Sequence, residues 1–415
     1  MNRISTNMPN DDMVYHLQKR ERALYRVQNR MSSQTRIQDL RDDPVGAAHA
    51  VRYDSFLTRL KRYGENIEYV QDYYNVVEGH LKEGVEILQR IRELTVQAAH
   101  GTYTPEDLKA MGKEVDELLE QLVQIANARG PEGRFLFGGA RTRGEPFRVV
   151  RGNVPGADDL LITGVEYIGD ITEKQTEIAE GAFITTGFSG NFVFGAQQQQ
   201  VYATVDALDY RVGEAGYFSI DGVRIDVTEG DTLYSIVQKI NDSAAPVRAR
   251  IDPVNHSLIL ETTVPHQLWM EDGEGTVLQD LGIIAPPDVQ RPPGNIAASA
   301  VHGGGSLFDV VMRVRDAMMV GDQDALGGRG LGMVDEALSA LVGKMGEIGA
   351  RGTRLTFAYA HNQEEIPDVT ELYAKRVDLD VSEAIIELKR LEFTHKAALS
   401  TAARILPPTL LDFLR

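Results

Sequence analysis

The chain has 415 residues, 42% of them hydrophobic and 25% charged, with a formal net charge of -18. Its length exceeds one ordinary core and predicts two or more domains, while no apolar run approaches the roughly 20 residues that cross a bilayer. The absence of cysteine rules out disulfides and thiolate metal sites, and an acidic chain is a poor partner for nucleic acid.

In chain order, Ile4 to Arg30 reads as a helix, with Met13, Leu17, Leu24, Val27 and Met31 on one stripe and Arg20 interrupting it. A turn is predicted from Met31 to Pro44, and Pro44 suits the first turn of a new helix, where its missing N–H costs nothing. The run to His100 keeps a three-four spacing through Leu60, Tyr63, Ile67, Val70, Tyr74, Val77, Leu81, Leu88 and Ile91. Thr104-Pro105-Glu106-Asp107 is a capping sequence. It opens a third helix with Leu108, Met111, Val115, Leu118, Leu122 and Ile125 on one face, ended by Gly130-Pro131.

Beyond Arg134 the period changes. Phe135 to Phe137, Phe147 to Val150, Leu160 to Ile168, Glu177 to Thr186 and Asn191 to Phe194 read as strands. Gln197 to Gln200 reads as an exposed linker. Strands Gly216 to Ile220 and Val223 to Thr228, joined by Asp221-Gly222, form a predicted two-residue hairpin. A helix from Thr232 to Ile240, capped by Asp231 or Thr232, precedes strands Val247 to Ile251 and Ser257 to Thr262. The sole tryptophan, Trp269, reads as a packing residue. Pro286, Pro287, Pro292, Pro293 and Gly303-Gly304-Gly305 mark a return linker.

Helical spacing resumes at Ser306 with Leu307, Val310, Val311, Val314 and Met318. Gly327 to Gly332 reads as a loop, and Val334, Leu338, Leu341, Met345, Ile348, Leu355 and Tyr359 restore a heptad face. Pro367 is expected to kink or restart that helix. The last run, Val377 to Ile405, carries Val377, Val381, Ala384, Leu388, Leu391, His395, Ala398, Ala402 and Ile405 on one seam. Such a stripe needs a partner helix, and the stripe from Met13 to Met31 is the best candidate.

The expected fold is α+β. It is an elongated multi-helix bundle or coiled coil formed by both chain ends, with an inserted β-rich outer region. Residues 1–43 with 375–415 are the expected terminal coiled-coil core, 44–140 with 303–374 a helical bundle, and 141–302 the β-rich insertion, with a unit of its own at 213–262. Residues 141–302 carry 23 acidic and 11 basic side chains, while 1–62 carry 12 basic and 7 acidic, so the insertion is expected to face solvent. The basic residues of 1–62 are interleaved with Glu21, Asp39, Asp42 and Asp43, which does not build a phosphate-binding face.

No constellation for catalysis, cofactor or metal emerges. The nine histidines are scattered, without H-E-x-x-H or a close trio. Asp42 with Asp43, and Asp378 with Asp380, read as helix caps rather than acid-base pairs. Gly187-Phe188-Ser189-Gly190 lacks the spacing of a nucleophile elbow. The glycines at 327–332 lack the Lys-Ser or Lys-Thr of a phosphate loop. A non-enzymatic protein is expected, and the seams leave a monomeric bundle open as the plainer reading.

Several stretches resemble a known family. Arg3-Ile4-Ser5-Thr6, Met31-Ser32-Ser33 with Arg36-Ile37, and Asp42-Asp43-Pro44 with Ala47-Ala48 look like the N-terminal region of the flagellin superfamily. Phe135 to Gly139, Pro146-Phe147, Tyr167 to Asp170, Glu180-Gly181, Gly190 to Gly195, Ile348 to Leu355, Asp378 to Ala384 and Ala397 to Leu406 with Leu410 to Leu414 are most similar to its hook-filament junction branch, the hook-associated protein 3 group. Residues 216–262 resemble the flagellin hook insertion motif. Pro407-Pro408 departs from the usual polar or small residues.

The resemblance implies a structural protein joining hook to filament, with flagellin, the filament subunit, as the alternative. A secreted ligand-binding protein or enzyme working through the β insertion is the reading from another class. The N-terminal MNRISTNMPNDD lacks the apolar core of a cleavable signal peptide, and the resemblance implies unfolded export by the flagellar type III pathway instead. Implied partners are flagellin, the first hook-filament junction protein, sister copies, and an export chaperone at the C-terminus. The implied location is the flagellum, secreted or enclosed in the periplasm. Subunit contacts are then expected from Met13, Leu17, Leu24, Val27, Met31, Val381, Ala384, Leu388, Leu391, Ala398, Ala402, Ile405, Leu410, Leu411 and Leu414, with both ends disordered in the free monomer.

Overall fold

The computed structural model describes residues 8–39, 41–286 and 290–405. Helices α1 (Met8–Ser33), α2 (Pro44–Ala99) and α3 (Pro105–Ala126) come first. Strands β1 (Phe147–Asn153), β2 (Leu160–Tyr167), β3 (Lys174–Ala179) and β4 (Ala182–Gly187) follow, then the short helix α4 (Gly190–Val193). The next block is β5 (Gln200–Ala203), β6 (Gly216–Ile220), β7 (Val223–Val227), α5 (Leu233–Asp242), β8 (Val247–Ile251), β9 (Leu258–Thr262), β10 (Met270–Glu274), α6 (Val277–Asp280) and β11 (Ala300–Gly303). The chain returns to helix in α7 (Leu307–Val320), α8 (Gln323–Ala325), a π-helical turn (Leu326–Gly330), α9 (Leu331–Val377) and α10 (Val381–Ile405). Helical ends thus enclose a β-rich middle in sequence. No described helix is long and apolar enough to cross a membrane.

Two compact units divide the chain, residues 1–65 with 359–415 and residues 66–358. The division falls inside α2 and inside α9. Both helices continue through those points, where no proline stands at residues 65–66 or 358–359. Pro367, expected to kink or restart the helix, lies within α9. Pro367 and Gln363, whose carbonyl loses its helical donor, are both exposed, so water can serve the orphaned acceptor.

In the first unit, α1 packs along α10. Leu57, Leu60, Tyr63 and Val369 form a small core with Tyr53, Phe56, Ile366 and Tyr373 around it. Gly64 makes room for Asn362, whose Nδ2 donates to the Leu60 carbonyl at 2.9 Å. The final seam is not one helix from Val377. It breaks at Asp378 to Asp380, because Asp380 Oδ1 accepts from the N–H groups of Ser382 and Glu383 at 2.9 and 3.1 Å and so starts α10 afresh. The Arg36 N–H donates to Val377 O at 2.7 Å and the Leu379 N–H to Gln34 O at 3.1 Å, tying this break to the α1–α2 turn.

In the second unit, Ile67, Val70, Tyr74, Val77, Leu81, Leu88 and Ile91 of α2 are buried. At Gly84 the helix meets Leu122 of α3 and Leu341 of α9. Thr104 and Asp107 cap each other reciprocally at the start of α3. Between α3 and α7, Arg315 is fully buried and pairs with Asp116, and its Nη2 donates to Asp316 at 2.7 Å.

The β-rich part of this unit contains antiparallel pairs β1–β2 and β3–β4 and two larger sheets, ordered β10-β6-β7 and β11-β5-β9-β8. The Asp221-Gly222 hairpin forms as expected, with φ of 51° and 77° supplying the left-handed pair that a tight turn requires. Phe218, Ile220, Leu233, Ile236, Ile240, Leu258 and Leu260 share one core with Val201 of β5, Met270 of β10 and Leu278 of α6. The unit expected at 213–262 therefore completes its sheets with strands from both sides of that range.

Four local expectations are corrected. Phe135 to Phe137 is no strand, because the N–H groups of Phe135 and Leu136 donate to Thr142 O and Ala128 O and fold it into a compact loop. Asn191 to Phe194 is a helical turn, with Val193 N donating to Ser189 O and the Asn191 side chain clasping the Gln267 backbone at 2.7 and 3.1 Å. In the Gln197 to Gln200 tract, Gln199 is buried and its Oε1 accepts from the Leu268 N–H at 2.6 Å. Gly327 to Gly332 is helical, passing from the wide π turn into α9.

Candidate assembly surface

The alternating three-four spacing on α1 and α10 sets each apolar stripe on a single helix face, and the two helices pack along each other. Val27, Ala384 and Ala402 are buried. Met13, Leu17, Leu24, Met31, Leu388, Leu391 and Ala398 are half-buried, as two helices alone leave a seam open along its flanks. Val381 is 49% exposed, since it opens α10 directly after the break at Asp378 to Asp380. Ile405 lies in α10, but its side chain, like Leu410, Leu411 and Leu414, falls outside the described residues.

The polar interruptions of the seam have separate fates. Arg20 reaches across, its Nη1 donating to the Thr394 carbonyl at 2.9 Å. His395 stays half-buried in the seam, and its Nδ1 meets no hydrogen-bond partner among the described residues. At the foot of the pair, the Gly46 N–H at 2.8 Å and then the Arg36 guanidinium hold the Asp43 carboxyl below its ordinary range. Asp43 caps α2 in this way and Asp380 caps α10, so neither is placed for acid-base work.

A second apolar face escaped the sequence reading. Ile386 is 69% and Phe393 75% exposed, one heptad apart and on the side of α10 opposite the Ala384–Ala402 stripe. Ile385 and Leu399 lie exposed between the two faces, and Tyr15 and Tyr25 are exposed on α1. The signal was present in the seven-residue interval between Ile386 and Phe393. It was masked by the stronger Ala384–Ala402 register. Single exposed hydrophobics are ordinary, but paired ones on one helix stripe offer a surface for another helix.

This architecture defines a protein whose helical termini pair while a β-rich region is inserted between them, and the same plan carries two named regions. Residues 4–142 match the bacterial flagellin N-terminal helical region, and residues 213–264 match the flagellin hook IN motif. The chain thus carries the helical N-terminal region and a hook motif of bacterial flagellins. The Phase 1 flagellin of Salmonella naestved is 35% identical over 297 residues, covering 71% of this chain and 52% of the relative. The flagellin of Salmonella enteritidis is 25% identical over the same shares. The chain spans about half the length of these curated relatives. A solved structure of flagellar hook associated protein-3 from Legionella pneumophila is 15% identical with a TM-score of 0.47, covering 78% of this chain and 97% of that one.

Proposed function

We propose that this protein is a structural subunit of the bacterial flagellum that joins hook to filament and adapts one helical lattice to the other. The observation that carries the reading is the α1–α10 pair, which leaves its own seam half-buried and a second stripe at Ile386 and Phe393 uncovered. The flagellin N-terminal region, the hook motif and the junction-type motifs read from the sequence support it. Sister copies cover the open faces in the assembled tube, where a contact that does not close on itself builds a helix of subunits. Residues 1–43 and 375–415 gain their stability from that contact rather than from the free chain. Flagellin on one side, the first junction protein on the other and an export chaperone at the C-terminal end are the partners of this reading.

Immunogold labelling of isolated flagella tests it, with label confined to the point where hook meets filament as the expected result. Label along the whole filament would favour the filament-subunit reading, which the flagellin relatives support, and absence from flagella would overturn both.

A further inference from the structure

The β-rich part of the second unit holds a cavity of about 1710 Å³ that the proposed assembly does not use. Its lining comes from β1 and the end of β2, from β10, from the return segment 290–298, from β11 and from α7, all within residues 141–313. Pockets for single small molecules run to roughly 300–1,000 Å³, so this space accommodates a short chain of rings. Four arginines and five carboxylates line it. The signs nearly cancel, and net charge alone selects neither an anion nor a cation.

All five carboxylates already accept a hydrogen bond. Glu271 Oε1 takes the Trp269 indole N–H at 3.2 Å, and Asp272 takes the N–H groups of Leu278 and Gln279, both at 3.0 Å. Arg291 and Arg313 are exposed, and among the described residues nothing bonds or pairs with either guanidinium or with the side-chain amide of Gln267. Asn295 is 5% exposed; its Nδ2 donates to Met270 O at 2.9 Å, while Oδ1 meets no partner among the described residues. A buried acceptor left unpaired is unfavourable until a donor reaches it. Trp269 is half-buried in the lining, and with its N–H committed to Glu271 the ring offers the cavity carbon surface.

We propose that this cavity binds a neutral oligosaccharide. A sugar ring presents a C–H face, which packs on an aromatic ring, and a rim of hydroxyls, each both donor and acceptor. The unspent groups match it. Trp269 supplies ring surface, Arg291, Arg313 and Gln267 supply planar donors for hydroxyl oxygens, and Asn295 supplies an acceptor for a hydroxyl hydrogen. An anionic ligand would face the five carboxylates, and an apolar one would leave the arginines and Asn295 without partners. Binding there involves the second unit alone, whatever place the subunit takes in the flagellum.

Trp269 is the chain's one tryptophan, so its fluorescence reports on the cavity directly. The full chain is titrated with maltotriose, cellotriose and chitotriose while its emission is followed. A saturable change with at least one of the three is expected. Arg313→Ala and Arg291→Ala are each expected to weaken that binding about tenfold, through loss of a charge-assisted hydrogen bond. No saturable change with any of the three, or binding that both folded variants leave unaltered, overturns the site. Should the variants fail to fold, the indole N–H resonance of Trp269 in the unmodified chain decides. Displacement of that resonance by the sugar that binds supports the site, and a resonance unmoved by all three overturns it.

Discussion

The helical ends and the hook-motif region solve the same packing problem to different degrees. Around α5, the side chains of Phe218, Leu233, Ile236, Ile240, Leu258 and Leu260 are fully buried, supplied with neighbours from two sheets of the same chain. Along α10, only Ala384 and Ala402 among the described residues of the predicted seam are buried, both small, while Phe393 and Ile386 stand in solvent. Apolar burial contributes about 25 cal/mol per Å². The first region therefore collects most of its stabilisation internally, and the second leaves it to be collected elsewhere.

The largest way to break this comparison lies inside the second unit. Arg315→Leu leaves the Asp116 carboxylate without its buried partner and is expected to cost about 3–5 kcal/mol, read as a lower midpoint in urea unfolding of the full chain. Ile236→Ala in α5 opens a cavity in the closed core and is expected to cost about 2–5 kcal/mol by the same measurement. Phe393→Ala, although it deletes a larger side chain, is expected to change the stability of the free protein by no more than about 0.5 kcal/mol. A loss comparable to that of Ile236→Ala would mean that α10 already has its full set of neighbours.

The pH dependence sharpens the contrast. Burial pushes the Asp231 carboxyl up, but Lys239, the Thr228 N–H at 2.7 Å and the Ser235 hydroxyl at 2.8 Å more than offset it and hold it well below the ordinary carboxylate range. A depressed carboxylate stabilises the fold above its unfolded value, and that contribution is lost as pH falls through the folded one. Near-ultraviolet circular dichroism at falling pH is expected to show the α5 region weakening in acid. Asp231→Ala is expected to cost about 2 kcal/mol at neutral pH and to flatten that dependence. A smaller effect than that of Asp231→Ala is expected for Arg20→Ala, which removes one exposed bond between α1 and α10 and costs about 0.5–1 kcal/mol.

What could be read in the sequence was what short-range chemistry decides. The reciprocal cap of Thr104 and Asp107, the Asp221-Gly222 turn and the Pro44 start each lie within a few residues of their cause. The pairing of α1 with α10 was legible because a seam that long has few possible partners. Gln199 was not, since its burial depends on Leu268 from a distant segment. Nor was the short helix at Gly190–Val193, whose aromatic composition suits a strand but whose Asn191 is held by Gln267. The stripe of Ile386 and Phe393 was hidden by choosing one register where α10 has two apolar faces.

Backbone hydrogen exchange, measured on the free protein and on isolated flagella, compares the two regions residue by residue. The free chain is expected to exchange rapidly over α1 and α10 and slowly over α5 to β9, with the terminal helices becoming protected once assembled. Terminal helices as slow to exchange in the free protein as the hook-motif core would contradict the claim that neighbouring subunits complete them.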